Sequence, residues 1–222
     1  RLMQKLWVIR KQPYRETSAL LTVLLNDNRL IRCIARGGGK VSEFQPLFGV
    51  LATNKGLANL SKIEPAGPRL PLSGIELISA LYLNEITHWM IPEGAEVEHL
   101  FDTYTRSVKD VSLGEIRPLR LYERCLLEAA GHYPLLDQDR NGQTLRQGAW
   151  YRLHQHQELV EVHSDEPDAL IAEHWLSLAE GRFDDALSLK HAKWLHRSLV
   201  DIALGGRRLV SREMLMAVGK AQ

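Results

Sequence analysis

Apolar and polar positions alternate in short runs over the first 65 residues, the period of strands. Beyond residue 92 they mostly recur every three or four, the period of helices. The change falls within residues 70–92. There Ser73 followed by Glu76 predicts a capping box, in which the serine oxygen takes an amide of the first turn and the glutamate reaches back. Ile75, Ile78, Tyr82, Ile86 and Trp89 then share one stripe, and Leu77, Ala80, Leu81, Leu83 and Met90 fill most of the remaining circumference. Asn84 and Glu85 are the polar exceptions. A helix apolar nearly all round is expected to be buried, here as a central helix between two packed units. It ends before Pro92 and is shorter than the roughly 20 apolar residues a membrane span needs.

Ahead of that helix, residues 5–11, 17–25, 30–36, 47–53 and 60–65 read as strands, the second and third joined by a tight Asn26-Asp27-Asn28 turn. Arg32 and Arg36 share parity with Leu30 and Ile34, so both arginines are expected on one side of their strand. Gly37-Gly38-Gly39-Lys40 predicts a flexible loop. Five short strands over about 65 residues fit an OB-type barrel, and an SH3-like barrel fits the same spacing. After the central helix, residues 95–111 and 115–130 predict helices, and 150–153 with 159–162 a hairpin. Residues 167–180 and 184–204 predict two more helices, with a last one beginning behind Ser211 as its cap. The fold class is therefore α+β. A barrel domain spans residues 1–70, and a helical domain spans 71–222 with an irregular insert at about 132–165.

Charge adds something the formal net of +1 hides. Residues 1–70 carry 12 Lys and Arg against 4 Asp and Glu, a balance of +8; residues 71–185 carry 9 against 21, or −12; residues 186–222 carry 7 against 2, or +5. Signs sorted in this way point to an anionic partner on the barrel. The two cysteines, Cys33 and Cys125, form no CxxC pair and no apolar leader precedes them, so a reducing, cytoplasmic setting is expected.

Catalytic chemistry finds little support. Gly39-Lys40 lacks the earlier glycine of a phosphate loop, and Val41 stands where a magnesium-binding hydroxyl belongs. No GxSxG occurs, and no paired carboxylates or activated nucleophile appear at telling spacing, so an enzyme is not expected. His154 and His156 alternate onto one strand face and, with His163 or His132, are the candidate metal ligands, although surface histidines in a hairpin explain them more simply. Trp89, Trp175 and Trp194 fall on helical apolar stripes and are expected in the core. Trp7 is either core or a base-stacking platform.

The order Pro13-Tyr14-Arg15-Glu16-Thr17-Ser18, Ile34-Ala35-Arg36-Gly37, Gln45-Pro46-Leu47, Leu70-Pro71-Leu72-Ser73-Gly74-Ile75 and Leu81-Tyr82-Leu83-Asn84-Glu85 resembles the bacterial DNA repair protein RecO family. The ending Leu204-Gly205-Gly206-Arg207-Arg208-Leu209-Val210-Ser211-Arg212-Glu213 extends the resemblance almost end to end. It implies an amino-terminal OB domain and a helical domain in a recombination mediator without catalytic activity, cytoplasmic and nucleoid-associated. Such a mediator binds single- and double-stranded DNA, anneals complementary strands and helps load the RecA recombinase together with RecR. It also docks the acidic, phenylalanine-ended tail of single-stranded DNA-binding protein. Many family members carry a four-cysteine zinc module after the glycine matching Gly131, and residues 132–153 here hold no cysteine, so neither zinc nor any other cofactor is expected. The loop after Arg36 is shorter and less basic than in relatives, with Lys40 as its one cation.

The expected DNA contacts are Arg10, Arg32, Arg36 and Lys40. The resemblance places Arg120 at the tail-binding position, with Arg117 and Arg124 within a turn and Leu119, Leu126 and Leu127 as apolar neighbours; the alternative is that Arg120 only pairs with Glu123 or Glu85 on the surface. A protein-interaction scaffold with weak or no direct DNA binding is the alternative reading.

Overall fold

The computed structural model describes residues 2–38, 41–53 and 56–219 of the 222-residue chain. These residues form eight strands and six helices. The chain divides into two compact units, Arg1–Leu126 with Arg208–Gln222, and Leu127–Arg207.

Five strands, β1 (Met3–Tyr14), β2 (Ser18–Leu25), β3 (Leu30–Arg36), β4 (Leu47–Ala52) and β5 (Ala58–Pro65), close in the order β1-β2-β3-β5-β4. This is a barrel of the OB type rather than the SH3-like alternative. Its interior is filled by Leu6, Val8, Leu21, Val23, Leu25, Cys33, Ala35, Leu47 and Leu60, so Arg32 and Arg36 have the outward parity of β3. A bulge in β1 decides where Arg10 goes. Val8 pairs with Val23 but Arg10 with Thr22, so one extra residue sits between them. Before the bulge even-numbered side chains point inward; after it they point outward. The predicted glycine loop is partly anchored, because the Gly37 amide donates to the Thr17 carbonyl at 2.6 Å. A Cβ on Gly38 would come within 2.8 Å of Ala19.

Helix α1 (Gly74–Met90) forms where the pattern put it, but not for the expected reasons. The Ser73 side chain makes no capping hydrogen bond, and Gly74 at φ +53 turns the chain into the helix through a left-handed residue. Burial follows partners rather than apolarity. Ile75 and Trp89 are exposed, whereas Asn84 is buried and accepts from the Tyr104 hydroxyl at 2.6 Å. Tyr82 donates to Glu123 Oε1 at 2.7 Å. Thr87 donates to the Leu83 carbonyl and meets the Tyr122 hydroxyl, both at 2.6 Å.

Helix α2 (Leu100–Val111) starts later than the predicted residue 95, because the preceding backbone is committed elsewhere. Gly94 donates to Leu30 O, and Ala95 O accepts from the Leu30 amide, while the Val97 amide reaches Asn28 O. The Asn28 side chain then accepts from the Phe101 amide at 2.9 Å, in the manner of a cap supplied from the β2–β3 turn. Trp7 is core: it is fully buried, donates to Thr105 Oγ1 at 2.8 Å and stacks edge-on with Tyr104, which meets Tyr122 in the same way. Helix α3 (Arg117–Ala129) carries Tyr122.

In the second unit β6 (Trp150–His154) and β7 (Glu158–Val162) form the expected hairpin. His156 lies in its turn at φ 60, not on the strand face shared with His154. A two-residue strand β8 (Leu170–Ile171) pairs with β6 and delays the next helix, α4 (Ala172–Ala179), relative to the predicted start at Pro167. Helix α5 (Ala186–Ala203) is capped by Asp185, which accepts from the Ser188 amide at 2.8 Å. Trp175 is fully buried and Trp194 is partly exposed.

Helix α6 (Val210–Gly219) belongs with the first unit. Ser211 is inside it rather than ahead of it. The cap is Glu85 of α1, whose carboxylate accepts from the amides of Val210 at 2.8 Å and Ser211 at 2.9 Å and from the Ser211 hydroxyl at 2.5 Å. A negative charge at a helix N-terminus is favourable in this position. Among the described residues no helix is long and apolar enough to cross a membrane.

Candidate nucleic-acid interface

Antiparallel pairing sets Arg10, Thr22 and Arg32 directly beside one another across β1, β2 and β3, all on the outer surface of the barrel. The bulge after Val8 is what brings Arg10 into this row. Arg10 is half-buried. Its guanidinium hydrogen-bonds the His88 ring and lies 5.3 Å from the centroid of the Trp89 ring, so the last turn of α1 fixes its position. Arg32 is exposed and stands 3.9 Å from the Glu93 carboxylate. An exposed pair of that kind is worth under about 1 kcal/mol and leaves the cation available to a phosphate. Between them opens a cavity of about 300 Å³.

Arg36 is not part of that row. It pairs across to Ser18, four residues along β3 from Arg32, and borders a second cavity of about 290 Å³ with Gln45 and Lys62. Lys40 lies outside the described residues. Three of the four expected contacts thus lie on the outside of the barrel, Arg10 and Arg32 in one row on either side of Thr22 and Arg36 apart from them. Thr22, His88, Trp89 and Lys62 were not read from the sequence as part of the candidate interface. Register could have found Thr22 beside Arg32 from the regular β2–β3 hairpin, whereas joining Arg10 to them needed the bulge in β1, and the helical stripe assigned Trp89 to the core.

The three arginines of α3 fall into different settings. Arg120 is buried and pairs with Glu123 at 2.8 Å, their side chains 8% and 1% exposed. Glu123 also takes the Tyr82 hydroxyl, and burial together with that carboxylate pushes the Tyr82 pKa upward. Arg212 lies over the Tyr82 ring at 5.6 Å. The Arg120 Nε is buried without a hydrogen-bond acceptor. Arg117 is exposed and Arg124 half-buried. Leu119, Leu126 and Leu127, the expected apolar neighbours, are in the interior, whereas Leu113 and Ile116, just ahead of Arg117, are 77% and 62% exposed.

Burial pushes the Cys33 thiol up to about 12, with Glu93 adding to the shift, so it is not a thiolate nucleophile near neutral pH. Among the described residues no group of three or more His, Cys, Asp or Glu side chains is placed to hold a metal ion.

Removing one partner of a buried pair strands the other charge, so Glu123→Ala is expected to cost about 3–5 kcal/mol of stability. Equilibrium urea unfolding measures it. A loss under about 1 kcal/mol would show that Arg120 does not depend on Glu123.

No family model matches the chain. It is similar along nearly its whole length to curated proteins described as DNA repair protein RecO. That of Pseudomonas putida (strain GB-1) is 34% identical over 219 residues, 95% of this chain and 96% of the relative. That of Nitrosococcus oceani is 33% identical over 227 residues, covering 96% and 92%. That of Legionella pneumophila (strain Corby) is 28% identical over 220 residues, covering 94% and 95%. With such identity sustained from the barrel to the last helix, the chain belongs to the RecO family of DNA repair proteins.

Proposed function

We propose that the protein is a mediator of DNA repair and homologous recombination that works by binding rather than by catalysis. It holds single- and double-stranded DNA, anneals complementary strands, and assists RecA loading together with RecR and single-stranded DNA-binding protein, in the cytoplasm at the nucleoid. Residues 1–70 are the DNA-binding domain in this reading and residues 71–222 the helical domain. The observation that carries it is the row Arg10, Thr22, Arg32 on the outer barrel surface, with Arg36 farther along β3, in a segment whose charge balance is +8. Phosphates neutralised by such side chains release counterions, giving binding with little sequence preference and strong salt dependence. Arg32→Ala with Arg36→Ala is expected to weaken DNA binding and to flatten the slope of log affinity against log salt by about two units, roughly one for each phosphate no longer neutralised. Filter binding across a salt series measures both. Unchanged affinity and slope would remove these arginines from the interface.

The interaction-scaffold reading has its own support in α3 and the turn before it. An acidic tail ending in phenylalanine needs an apolar surface beside a fixed cation. Leu113 and Ile116 are exposed next to Arg117, with Arg120 and Arg124 on the following turns of the helix. We propose these three arginines as the receptor for the tail of single-stranded DNA-binding protein. Arg117 supplies the exposed cation, and Glu123 holds Arg120 in place. A labelled tail peptide is expected to bind the wild type and to lose most of its affinity for Arg117→Ala. Equal binding by both proteins would rule out that receptor.

A further inference from the structure

Trp89 is 38% exposed at the end of a helix whose neighbouring residues Ile86, Thr87 and Met90 are buried. Its indole borders the 300 Å³ cavity together with Arg10, Gln12, Thr22, Arg32 and His88. Two groups that approach the indole are themselves held. The Arg10 guanidinium is 5.3 Å from the ring centroid and bonded to His88, and the His88 ring meets the indole edge-on at 4.5 Å between centroids. The result is a partly open aromatic surface with one arginine fixed against it and a second, Arg32, two strands away across Thr22.

A planar indole and a planar guanidinium offer stacking to any nucleobase, and arginines at this spacing offer charge to the phosphates on either side of it. We infer that the cavity takes one nucleotide of a single DNA strand, its base stacked against Trp89 and its phosphate backbone held by Arg10 and Arg32. This rests on the reading of the outer barrel surface as the DNA-binding face. It extends that face beyond residues 1–70 onto α1. In a duplex each base is already covered by its neighbours above and below, so this subsite adds affinity for single strands alone. Stacking displaces few counterions, so its contribution is separable from that of the arginines by salt dependence.

Fluorescence anisotropy with labelled oligo(dT) and with a duplex of equal length, across a salt series, tests the inference on the full chain. Trp89→Ala, in which His88 still bonds Arg10, is expected to weaken oligo(dT) binding about tenfold with little change in salt slope, and to weaken duplex binding by far less. Trp89→Phe, which keeps an aromatic face, is expected to recover most of the loss and guards against a merely structural effect. Oligo(dT) binding by Trp89→Ala equal to that of the wild type would overturn the subsite, as would equal losses for single strand and duplex. If Arg32→Ala weakens oligo(dT) while Trp89→Ala does not, the DNA-binding reading stands and only the stacking subsite falls. If the wild type binds no DNA at low salt, both fall together.

Discussion

Two turns of α1 carry three polar side chains, Tyr82, Asn84 and Thr87, into the interior and a fourth, Glu85, to half-burial. Each must find a partner, because a buried polar group left unpaired costs about 1–3 kcal/mol. They find them in different places: Glu123 and Tyr122 on α3, Tyr104 on α2 for the Asn84 oxygen, and the first amides of α6, with the Asn84 Nδ2 alone of these groups left without an acceptor. Hydrophobic burial would tolerate α1 rotated to several angles, since apolar residues line most of its circumference. Four directional bonds to three helices admit one. With the rotation fixed, the last turn presents His88 and Trp89 to Arg10 of β1, and the helical part of the first unit thereby shapes the outer surface of the barrel.

The other constraint on that surface is a single inserted residue. Strict alternation along β1 puts Arg10 on the side of Leu6 and Val8, in a closed barrel interior where an unpaired guanidinium would be prohibitive. The bulge reverses the parity once, so the same strand lines the core with Leu6 and Val8 and offers Arg10 to solvent. The outward-facing row Arg10, Thr22, Arg32, of which Arg32 is exposed, Arg10 half-buried and Thr22 buried between them, is thus a product of pairing register as much as of composition.

These two devices also mark what the sequence made legible. Strand periodicity located all five barrel strands, and the parity of Arg32 and Arg36 followed from β3 directly because that strand is regular. Helix α1 was legible from its apolar density, but which of its residues are buried was not, since Asn84 is inside and Ile75 outside for reasons that lie in α2, α3 and α6. The late start of α2 and the capping of α6 by Glu85 are likewise decided by residues 28–30 and 85, far away in sequence. Local signals such as Ser73 and Ser211 were readable as caps and are not used as such. The candidate site was legible as charge, arginine by arginine. Its aromatic wall was not, because a tryptophan on an apolar stripe looks the same whether or not a neighbour covers it.

The central claim is that a DNA strand lies over the outer surface of β1–β3 and reaches the end of α1. Amide hydrogen exchange on the full chain with and without saturating oligo(dT) tests it most directly. Slowed exchange in β1, β2 and β3 and over residues 88–91, with residues 127–207 unaffected, is the expected result. Slowing confined to residues 127–207, with the barrel strands unchanged, would contradict it.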